Sequence, residues 1–370
     1  MRQNLKYGKR IVIKAGTSIL TSKDGRISGE NLERLGAEIL NLTQGGKQIV
    51  LVSSGAIAFG MESVGLQVRP RQMSRLQACA AIGQGKLMHA YEKFFSKRGL
   101  HTAQLLLTRD ALEDRNRFLA ARRTFEELFC FGAVPIVNEN DTVATEEIAF
   151  GDNDVLSVQV AHLIQADLLI LLSDVDGFYL RDGSRIRNVQ SEEEIDQELT
   201  RHLKDTKTER TVGGMKAKLE AARIAMRLGV PLAIVNGHEE GILAKFLEGE
   251  DVGTLFAATR TRRNARKKWI AFSAARRGAL TVDSGAFQAL QSKKKSLLPS
   301  GIILVEGKFE RGDIVELKAS SGKVFGRGVV NYSSRELEQI AGKKTSEIYD
   351  ILGYKHRDEA VHRNDLILWS

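Results

Sequence analysis

The chain has 370 residues, which suggests two domains or one large domain with an appendage and is too long for a lone binding module. Its 55 Lys and Arg residues outnumber its 46 Asp and Glu residues, and the formal net charge of +9 favours anionic partners such as nucleotides, acidic metabolites or nucleic acid. Hydrophobic residues make up 42% of the chain and charged residues 27%, a composition that excludes a disordered protein.

The N-terminus and the cysteines indicate a reduced, soluble protein. The first residues are basic, but the apolar run after them is too short for the core of a signal peptide, and no segment reaches the ~20 apolar residues of a membrane span. Cys79 and Cys130 lie in apolar, helix-like contexts without the spacing of a metal site, so we expect both to be reduced core residues. We therefore expect a cytoplasmic protein that does not bind membranes.

Short apolar runs alternate with amphipathic segments as far as about residue 260. The runs are continuous and rich in β-branched residues, which is typical of strands buried on both faces of a parallel sheet. The predicted strands are 11–13, 49–52, 105–107, 134–137, 168–172 and 232–235. Between them, apolar residues recur at helical spacing within 32–42, 118–129 and 215–228. This alternation predicts an α/β fold with an open, mostly parallel sheet sandwiched by helices.

The pattern changes after the stretch 260–268, which contains six basic residues and no acid. Short strand-like pieces bounded by glycines and polar turns follow it, at 279–282, 301–306, 313–317, 323–330 and 365–369. Their spacing predicts a small β-rich barrel. We therefore predict an α/β domain at 1–260, a basic linker at 261–275 and a β-rich domain at 276–370.

The first two predicted strands end in residues that suit an anion. Ligands of an open parallel sheet bind beyond the carboxyl ends of its strands. Lys14 stands at such an end before the turn that contains Gly16, so it offers an ammonium beside close-approaching backbone N–H groups, as a phosphate cradle does. Residues 53–56 place hydroxyls and N–H groups at a helix start, which suits carboxylate or phosphate. A solvated lysine and a serine N-cap are the structural alternatives.

Polar clusters also follow the later strands. The acids and amides of 138–141 and 150–154 could grip an ammonium or orient lysines around a nucleotide, although Asx turns that cap helices have the same composition. Residues 173–177 form a polar turn that could meet a ribose or a base. The segment 212–218 opens a helix with two glycines followed by two lysines, which suits a triphosphate.

Together these segments favour phosphoryl transfer to a small acidic acceptor. Lys14 and Lys218 would neutralise the charge that spreads over a transferring phosphoryl group, and an acid between them could hold both in place. The sequence has neither GxGxxG after its first strand nor GxxxxGK[ST], and its 7 histidines show no Ser-His-Asp or Cys-His arrangement.

Ordered motifs along nearly the whole chain resemble the amino acid kinase family, and within it the branch that carries a C-terminal PUA domain. The motifs are VIKAGTS, VLVSSGAIAFG, AAIGQGKLM, QLLLTRDAL, VPIVNENDTV, FGDNDVLS, LLSDVDGFY, GGMKAKLEAA, LTVDSGA, SLLPSGI, GDIVEL, ILGY and AVHRND. FGDND and the NEND segment are more specific than the lysine-glycine turn. The resemblance implies the amino acid kinase fold followed by a small PUA barrel.

The resemblance also implies roles for individual residues. Lys14 and Lys218 match the two lysines that stabilise the transferring phosphoryl group, and Asp154 matches the carboxylate that organises them. The implied glutamate-binding residues are Ser54, Asp141 and Asn153, with Asn138 and Gly55 lining the same pocket. The implied ATP contacts are Lys14, Ser173, Asp174, Val212, Gly213, Gly214, Met215, Lys216, Ala217 and Lys218.

The activity implied by the resemblance is the ATP-dependent phosphorylation of the γ-carboxylate of L-glutamate to L-glutamyl 5-phosphate, the first step of proline biosynthesis. Such a nucleophile is already ionised at neutral pH, so positioning and charge neutralisation can suffice without a strong general base. Mg²⁺ would arrive on ATP, with few protein ligands. The resemblance further implies feedback inhibition by proline and a homodimer or homotetramer. Val212 and Ala217 depart from it, because the family usually carries Thr there; we expect weaker ATP affinity and retained activity.

Two other functions remain open from the sequence. The basic stretch 260–268 and the lysines 293–295 could hold an RNA backbone through the PUA domain, although no interleaved aromatic residues support base stacking there. Alternatively, the acceptor could be aspartate, acetylglutamate, carbamate or a nucleoside monophosphate, since related kinases share the sheet and the lysines. The PUA domain and the FGDND segment favour glutamate.

Overall fold

The computed structural model describes most of the chain, which divides into two compact units. The described residues are 2–22, 26–108, 112, 115–143, 153–179, 184–192, 194–195, 209–258, 277–293 and 295–368. The first unit comprises residues 1–109 and 119–261, and the second comprises residues 110–118 and 262–370. The predicted linker 261–275 lies outside the described residues, so the division into three segments stays a prediction.

The strands of the first unit form a large sheet and a small two-stranded one. In chain order the strands are β1 Arg10–Ala15, β2 Gln48–Ser53, β3 Thr102–Leu107, β4 Val134–Glu139, β5 Leu168–Ser173, β6 Phe178–Tyr179, β7 Arg185–Ile186, β8 Asn188–Val189, β9 Leu232–Asn236 and β10 Thr254–Phe256. The order in the large sheet is β3-β4-β2-β1-β5-β9-β10-β8, and β6 pairs with β7. All six predicted strands are present.

The register of the large sheet brings the ends of its strands to one edge. The strands from β3 to β9 in this order are joined by parallel pairs, whereas β10 runs antiparallel to β9. Ala15 at the end of β1 lies opposite Ser53 of β2 and Leu172 of β5. The mostly parallel sheet predicted from the continuous apolar runs is confirmed, and the carboxyl ends of its strands are neighbours.

Helices connect these strands. They are α1 Thr17–Leu20, α2 Gly29–Gln44, α3 Ala56–Ser63, α4 Met73–Ser96, α5 Arg115–Cys130, α6 Asn153–Leu163, α7 Glu209–Leu228 and α8 Ile242–Glu248, with short 3₁₀ segments at Arg2–Tyr7 and Asp141–Val143. The helix α2 shows why they form: its Leu32, Leu35 and Ile39 are buried at helical spacing, and the Ser28 hydroxyl caps its first turn. Among the described helices, none combines the length and the apolar character that crossing a bilayer requires.

Two helices next to the strand ends meet backbone to backbone. A Cβ atom added to Gly60 of α3 would lie 1.8 Å from the carbonyl oxygen of Cys79, and one added to Gly83 of α4 would lie 1.8 Å from the carbonyl oxygen of Ala56. Such distances are far below van der Waals contact, so the crossing of α3 and α4 requires glycine at both positions. The crossing fixes α4 against the first turn of α3.

The second unit has its own sheet and its own apolar core. Its strands and helices are β11 Gly278–Val282, α9 Ser284–Lys293, β12 Ile302–Gly307, β13 Ile314–Ala319, β14 Val324–Val330, α10 Ser334–Ile340, α11 Ile348–Leu352 and β15 Val361–Leu368, with 3₁₀ turns at Pro299–Gly301 and Thr345–Glu347. The strand order is β12-β11-β13-β14-β15, and an antiparallel bridge joins Leu297 to Val361. The core includes Leu280, Val315 and Leu317. The predicted β-rich tail is confirmed.

Two details of the first unit differ from the sequence prediction. Cys79 is buried as expected, but Cys130 is exposed, because it is the last residue of α5 and lies beyond the helix turn that packs Phe125 against the core. The continuous apolar run predicts a buried Leu106, but its side chain is 39% exposed because β3 is an edge strand of the sheet. The basic stretch 260–268 and Lys294 lie outside the described residues.

Candidate active site

A buried triad of two lysines and one aspartate lies at the carboxyl edge of the large sheet. Lys14 Nζ is 2.7 Å from Asp154 Oδ1, and Lys218 Nζ is 3.1 Å from Asp154 Oδ2. The side chains of Lys14, Lys218 and Asp154 are 3%, 12% and 0% exposed. Two ammonium groups thus face one carboxylate away from solvent, where charges act more strongly than in water. The triad retains a surplus positive charge that suits an anionic ligand.

Three elements from distant parts of the sequence position the triad. Lys14 is the penultimate residue of β1, Asp154 is the second residue of α6, and Lys218 lies on the inner side of α7. The helix α6 packs on both β1 and α7. The segment 150–152, which completes the FGDND motif, lies outside the described residues. The predicted meeting of Lys14 and Lys218 around an acid is therefore what the structure shows.

The turn after β1 leaves room beside the first lysine. A Cβ atom added to Gly16 would lie 3.4 Å from Lys14 Nζ, so the ammonium folds back over the backbone of this turn. An ammonium above a glycine turn is the arrangement that the sequence predicted for a phosphate cradle.

A hydrogen-bonded group of amides and a hydroxyl lies beside the triad. Asn153 Nδ2 is 3.0 Å from both Ser54 Oγ and Asn138 Oδ1, to which it donates. Asn138 Nδ2 donates in turn to Gln84 Oε1 at 2.9 Å. Gly55, with φ +106°, turns the chain from β2 into α3 in the left-handed region that glycine favours. Ser54, Gly55, Asn138 and Asn153, the residues expected to line the acceptor pocket, thus lie together around one point.

Asp141, the fifth expected pocket residue, lies on the short 3₁₀ helix that follows β4. Burial raises the pKa of its carboxyl group above the ordinary value of 3.8, and the nearby positive charge of Arg69 opposes this effect in part. The helix α4, which carries Gln84, packs against this 3₁₀ helix. The carboxylate can supply the negative charge that an amino-acid ammonium requires.

The residues expected to contact a nucleotide lie on β5 and α7. Ser173 ends β5 with its hydroxyl 3.1 Å from Asp174 Oδ1, to which it donates. The helix α7 begins at Glu209, earlier than the sequence predicted, so the segment 212–218 forms part of its first turns. The backbones of Val212 and Gly213 are helical, and the side chain of Val212 lies outside the described part of the structure. Lys216 is exposed, whereas Gly214, Met215 and Ala217 are half-buried.

Two polar residues of α4 that no sequence motif singled out also reach this site. Gln84 contacts Asn138, and the hydroxyl of Tyr91 lies 2.9 Å from Ser53 Oγ at the end of β2. Both belong to the buried stripe Ala80, Gln84, Leu87 and Tyr91 of α4. An amide at helical spacing among apolar residues was the available signal, because a buried polar group needs a partner.

Models of two families match the chain. The model of the amino acid kinase family matches residues 9–236, which is more than half of the chain. The model of the PUA domain matches residues 278–352. The first range contains every residue of the triad and of the expected acceptor pocket.

Relatives of similar length match along nearly the whole sequence. The chain is 45% identical over 362 residues to the glutamate 5-kinase of Caldanaerobacter subterraneus subsp. tengcongensis, covering 97% of each protein. It is 45% identical over 372 residues to that of Carboxydothermus hydrogenoformans, covering 100% of each. It is 45% identical over 368 residues to that of Myxococcus xanthus, covering 99% of this chain and 97% of the relative. The chain therefore belongs to the amino acid kinase family and, within it, to the glutamate 5-kinase family.

Proposed function

We propose that the chain transfers the γ-phosphoryl group of ATP to the γ-carboxylate of L-glutamate, giving ADP and L-glutamyl 5-phosphate, the first step of proline biosynthesis. The observation that carries this proposal is the pair of lysines held by Asp154 at the carboxyl edge of the sheet. The full-length relatives named as glutamate 5-kinases support glutamate as the acceptor. They do not favour RNA binding as the main function, nor another acceptor.

The proposed reaction needs charge neutralisation rather than proton removal. A glutamate γ-carboxylate oxygen forms a bond to the γ-phosphorus, and the bond from that phosphorus to the oxygen bridging to the β-phosphate breaks, with the electron pair leaving on ADP. The attacking group is ionised at neutral pH. The ammonium groups of Lys14 and Lys218 would stabilise the negative charge on the transferring group and on the departing phosphate.

The acceptor pocket supplies groups for each end of glutamate. The first N–H groups of α3 after Gly55, with the hydroxyl of Ser54, suit a carboxylate at a helix N-terminus. Asp141 suits the α-ammonium. We assign the nucleotide to Ser173, Asp174 and the segment 212–218.

The carboxylate of Asp154 is already paired with two lysines, so it is a poor ligand for Mg²⁺. Both oxygens of Asp154 face lysines, and the described residues contain no cluster of three His, Cys, Asp or Glu side chains that could hold a metal. This donor set does not fit a cation held by protein groups alone. We therefore assign Mg²⁺ to the phosphates of ATP, where it would add to the charge neutralisation.

Two further expectations about partners stay proposals. Inhibition by proline and assembly into a dimer or tetramer are implied by the family resemblance, and no contact among the described residues bears on either. The proposed residues of the acceptor pocket do not depend on them.

The acceptor is tested by ADP release with Mg-ATP and one acceptor at a time. We expect turnover with L-glutamate and at most a hundredth of its kcat/KM with aspartate, N-acetylglutamate, carbamate or UMP. Hydroxylamine should trap the acyl phosphate as a hydroxamate in the glutamate reaction. A higher kcat/KM with another acceptor, or ADP release from glutamate without a hydroxamate, would contradict the proposal.

The pH dependence of glutamate binding tests the role of Asp141. Because burial raises the pKa of this carboxyl group, protonation on lowering the pH removes its negative charge earlier than in an exposed aspartate, and the KM for glutamate should rise at a pH above 3.8. The γ-carboxyl of free glutamate has a pKa of about 4.3, and its protonation adds a second rise to the pH profile of the glutamate KM, the substrate limb. In Asp141→Asn, we expect a raised KM at neutral pH and only the substrate limb. An unchanged profile in this variant would exclude the assigned role, with the KM for ATP as the internal control.

A further inference from the structure

Gln84 carries a buried hydrogen-bond donor that no described residue satisfies. The side chain lies on α4 and is 9% exposed. Its Oε1 accepts from Asn138 Nδ2 at 2.9 Å, whereas its Nε2 is buried and has no hydrogen-bond partner in the described part of the chain. Leaving such a donor unpaired is unfavourable, because the buried N–H group has lost its hydrogen bonds to water. A buried polar group without a protein partner is a candidate for contact with a ligand.

The hydrogen bonds of the neighbouring amides fix which end of Gln84 is unpaired. Asn138 Oδ1 accepts from Asn153 Nδ2 at 3.0 Å and from the backbone N–H of Glu139 at 2.9 Å. Asn138 must therefore present its Nδ2 to Gln84, and Gln84 must present its oxygen in return. The hydrogen bonds therefore run from Asn153 to Asn138 and on to Gln84, and the amide nitrogen of Gln84 is left without a partner among the described residues. Flipping Gln84 would place two donors opposite each other, so the orientation is not arbitrary.

The crossing of α3 and α4 brings Gln84 beside the residues of the expected acceptor pocket. Gly83, the preceding residue, touches the backbone of Ala56 in the first turn of α3, next to Ser54 and Gly55. On the other side, Asn138 lies near the end of β4. Gln84 thus lies between two of the elements from which we expect the acceptor to be bound.

We propose that Gln84 is a substrate-binding residue that determines specificity, and that its Nε2 donates a hydrogen bond to a carboxylate oxygen of the amino-acid acceptor. The inference rests on the proposed function. A primary amide nitrogen can only donate, so it matches a carboxylate and rejects an ammonium. The acceptor has two carboxylates. The surplus positive charge of the Lys14, Lys218 and Asp154 triad also favours an anionic ligand. A site discriminates strongly against ligands that would leave one of its buried hydrogen-bond donors unpaired.

The test compares two substitutions that separate ligand contact from positioning of Asn138. Gln84→Glu keeps an oxygen for Asn138 Nδ2 and replaces the donor by a second carboxylate oxygen, whereas Gln84→Met removes both functions. Assays run at alkaline pH keep the new carboxyl ionised. We expect both variants to raise the KM for glutamate, Gln84→Glu by about 100-fold because a carboxylate then faces a carboxylate. The KM for ATP should stay within about twofold.

The control is Gln72→Glu, the same substitution at an exposed residue just before α4, which should leave both KM values unchanged.

Near-normal kinetics in Gln84→Glu, with impairment only in Gln84→Met, would show that the residue merely positions Asn138 and would overturn the inference. Thermal midpoints of all variants separate unfolding from loss of binding; if Gln84→Glu unfolds, an unchanged glutamate KM in folded Gln84→Met also overturns it. Absence of turnover with every acceptor in the unaltered protein would instead overturn the proposed function and this inference with it.

Discussion

Lys14→Met should lower kcat with glutamate and Mg-ATP by about a thousandfold while the protein stays folded. The side chain of Lys14 is 3% exposed, and its ammonium nitrogen lies 2.7 Å from Asp154 Oδ1. Removing one donor that stabilises charge in a transition state costs about 10²–10³ in rate, and loss of a cation at a transferring phosphoryl group costs about 10³–10⁵. The measurement is kcat from ADP release, with the thermal midpoint as the check on folding.

The fold should tolerate this change because Asp154 keeps its second partner. Removing one lysine leaves the carboxylate paired with Lys218 at 3.1 Å, so no unpaired charge is buried. Methionine also retains much of the length of the lysine stem. Lys93→Met, at an exposed position of α4, is the matched control and should keep full activity. Full activity in Lys14→Met would exclude the role assigned to this lysine.

The sequence was sufficient to predict the sheet and the identity of the two lysines. Continuous β-branched runs marked the central strands, and the rule that ligands bind beyond the carboxyl ends of parallel strands selected Lys14. The glycines and lysines of the segment 212–218 selected Lys218, and the resemblance to the family selected Asp154. The structure brings all three residues together. The end of a buried strand is predictable because the apolar run stops there and polar residues follow it in the sequence.

Other features of the fold and of the site depend on packing between segments that are distant in sequence, so the sequence alone does not specify them. The role of Gln84 follows from its contact with Asn138, 54 positions away. The exposure of Leu106 follows from the position of β3 at the edge of the sheet, which strand composition does not specify. Which oxygen of Asp154 each lysine faces is likewise set by the packing of α6 between β1 and α7.

The crossing of α3 and α4 leads to the largest stability effect that we expect. In Gly83→Ala, the new Cβ atom would lie 1.8 Å from the carbonyl oxygen of Ala56 and 2.4 Å from the backbone nitrogen of Gly60. Both neighbours are backbone atoms and cannot rotate away. Reaching a carbon–oxygen contact of about 3.3 Å requires the helices to separate by about 1.5 Å. Overpacking of this kind costs typically 1–3 kcal/mol and occasionally more, so we expect a loss of about 3 kcal/mol in the free energy of unfolding, measured by urea denaturation.

Gly85→Ala makes the same chemical change two residues further along α4. Comparing the stabilities of the two variants separates the effect of the helix crossing from the effect of alanine on helix propensity. A Cβ atom at Gly85 would meet nothing within 4 Å, so the substitution should stabilise the helix by up to about 1 kcal/mol. Gly83→Ala should in addition raise the KM for glutamate, because separating the helices displaces Ser54 and Gly55 at the start of α3 from Gln84. Equal stabilities of the two variants would contradict the close crossing. A destabilised Gly83→Ala with an unchanged glutamate KM would instead show that the pocket does not depend on it.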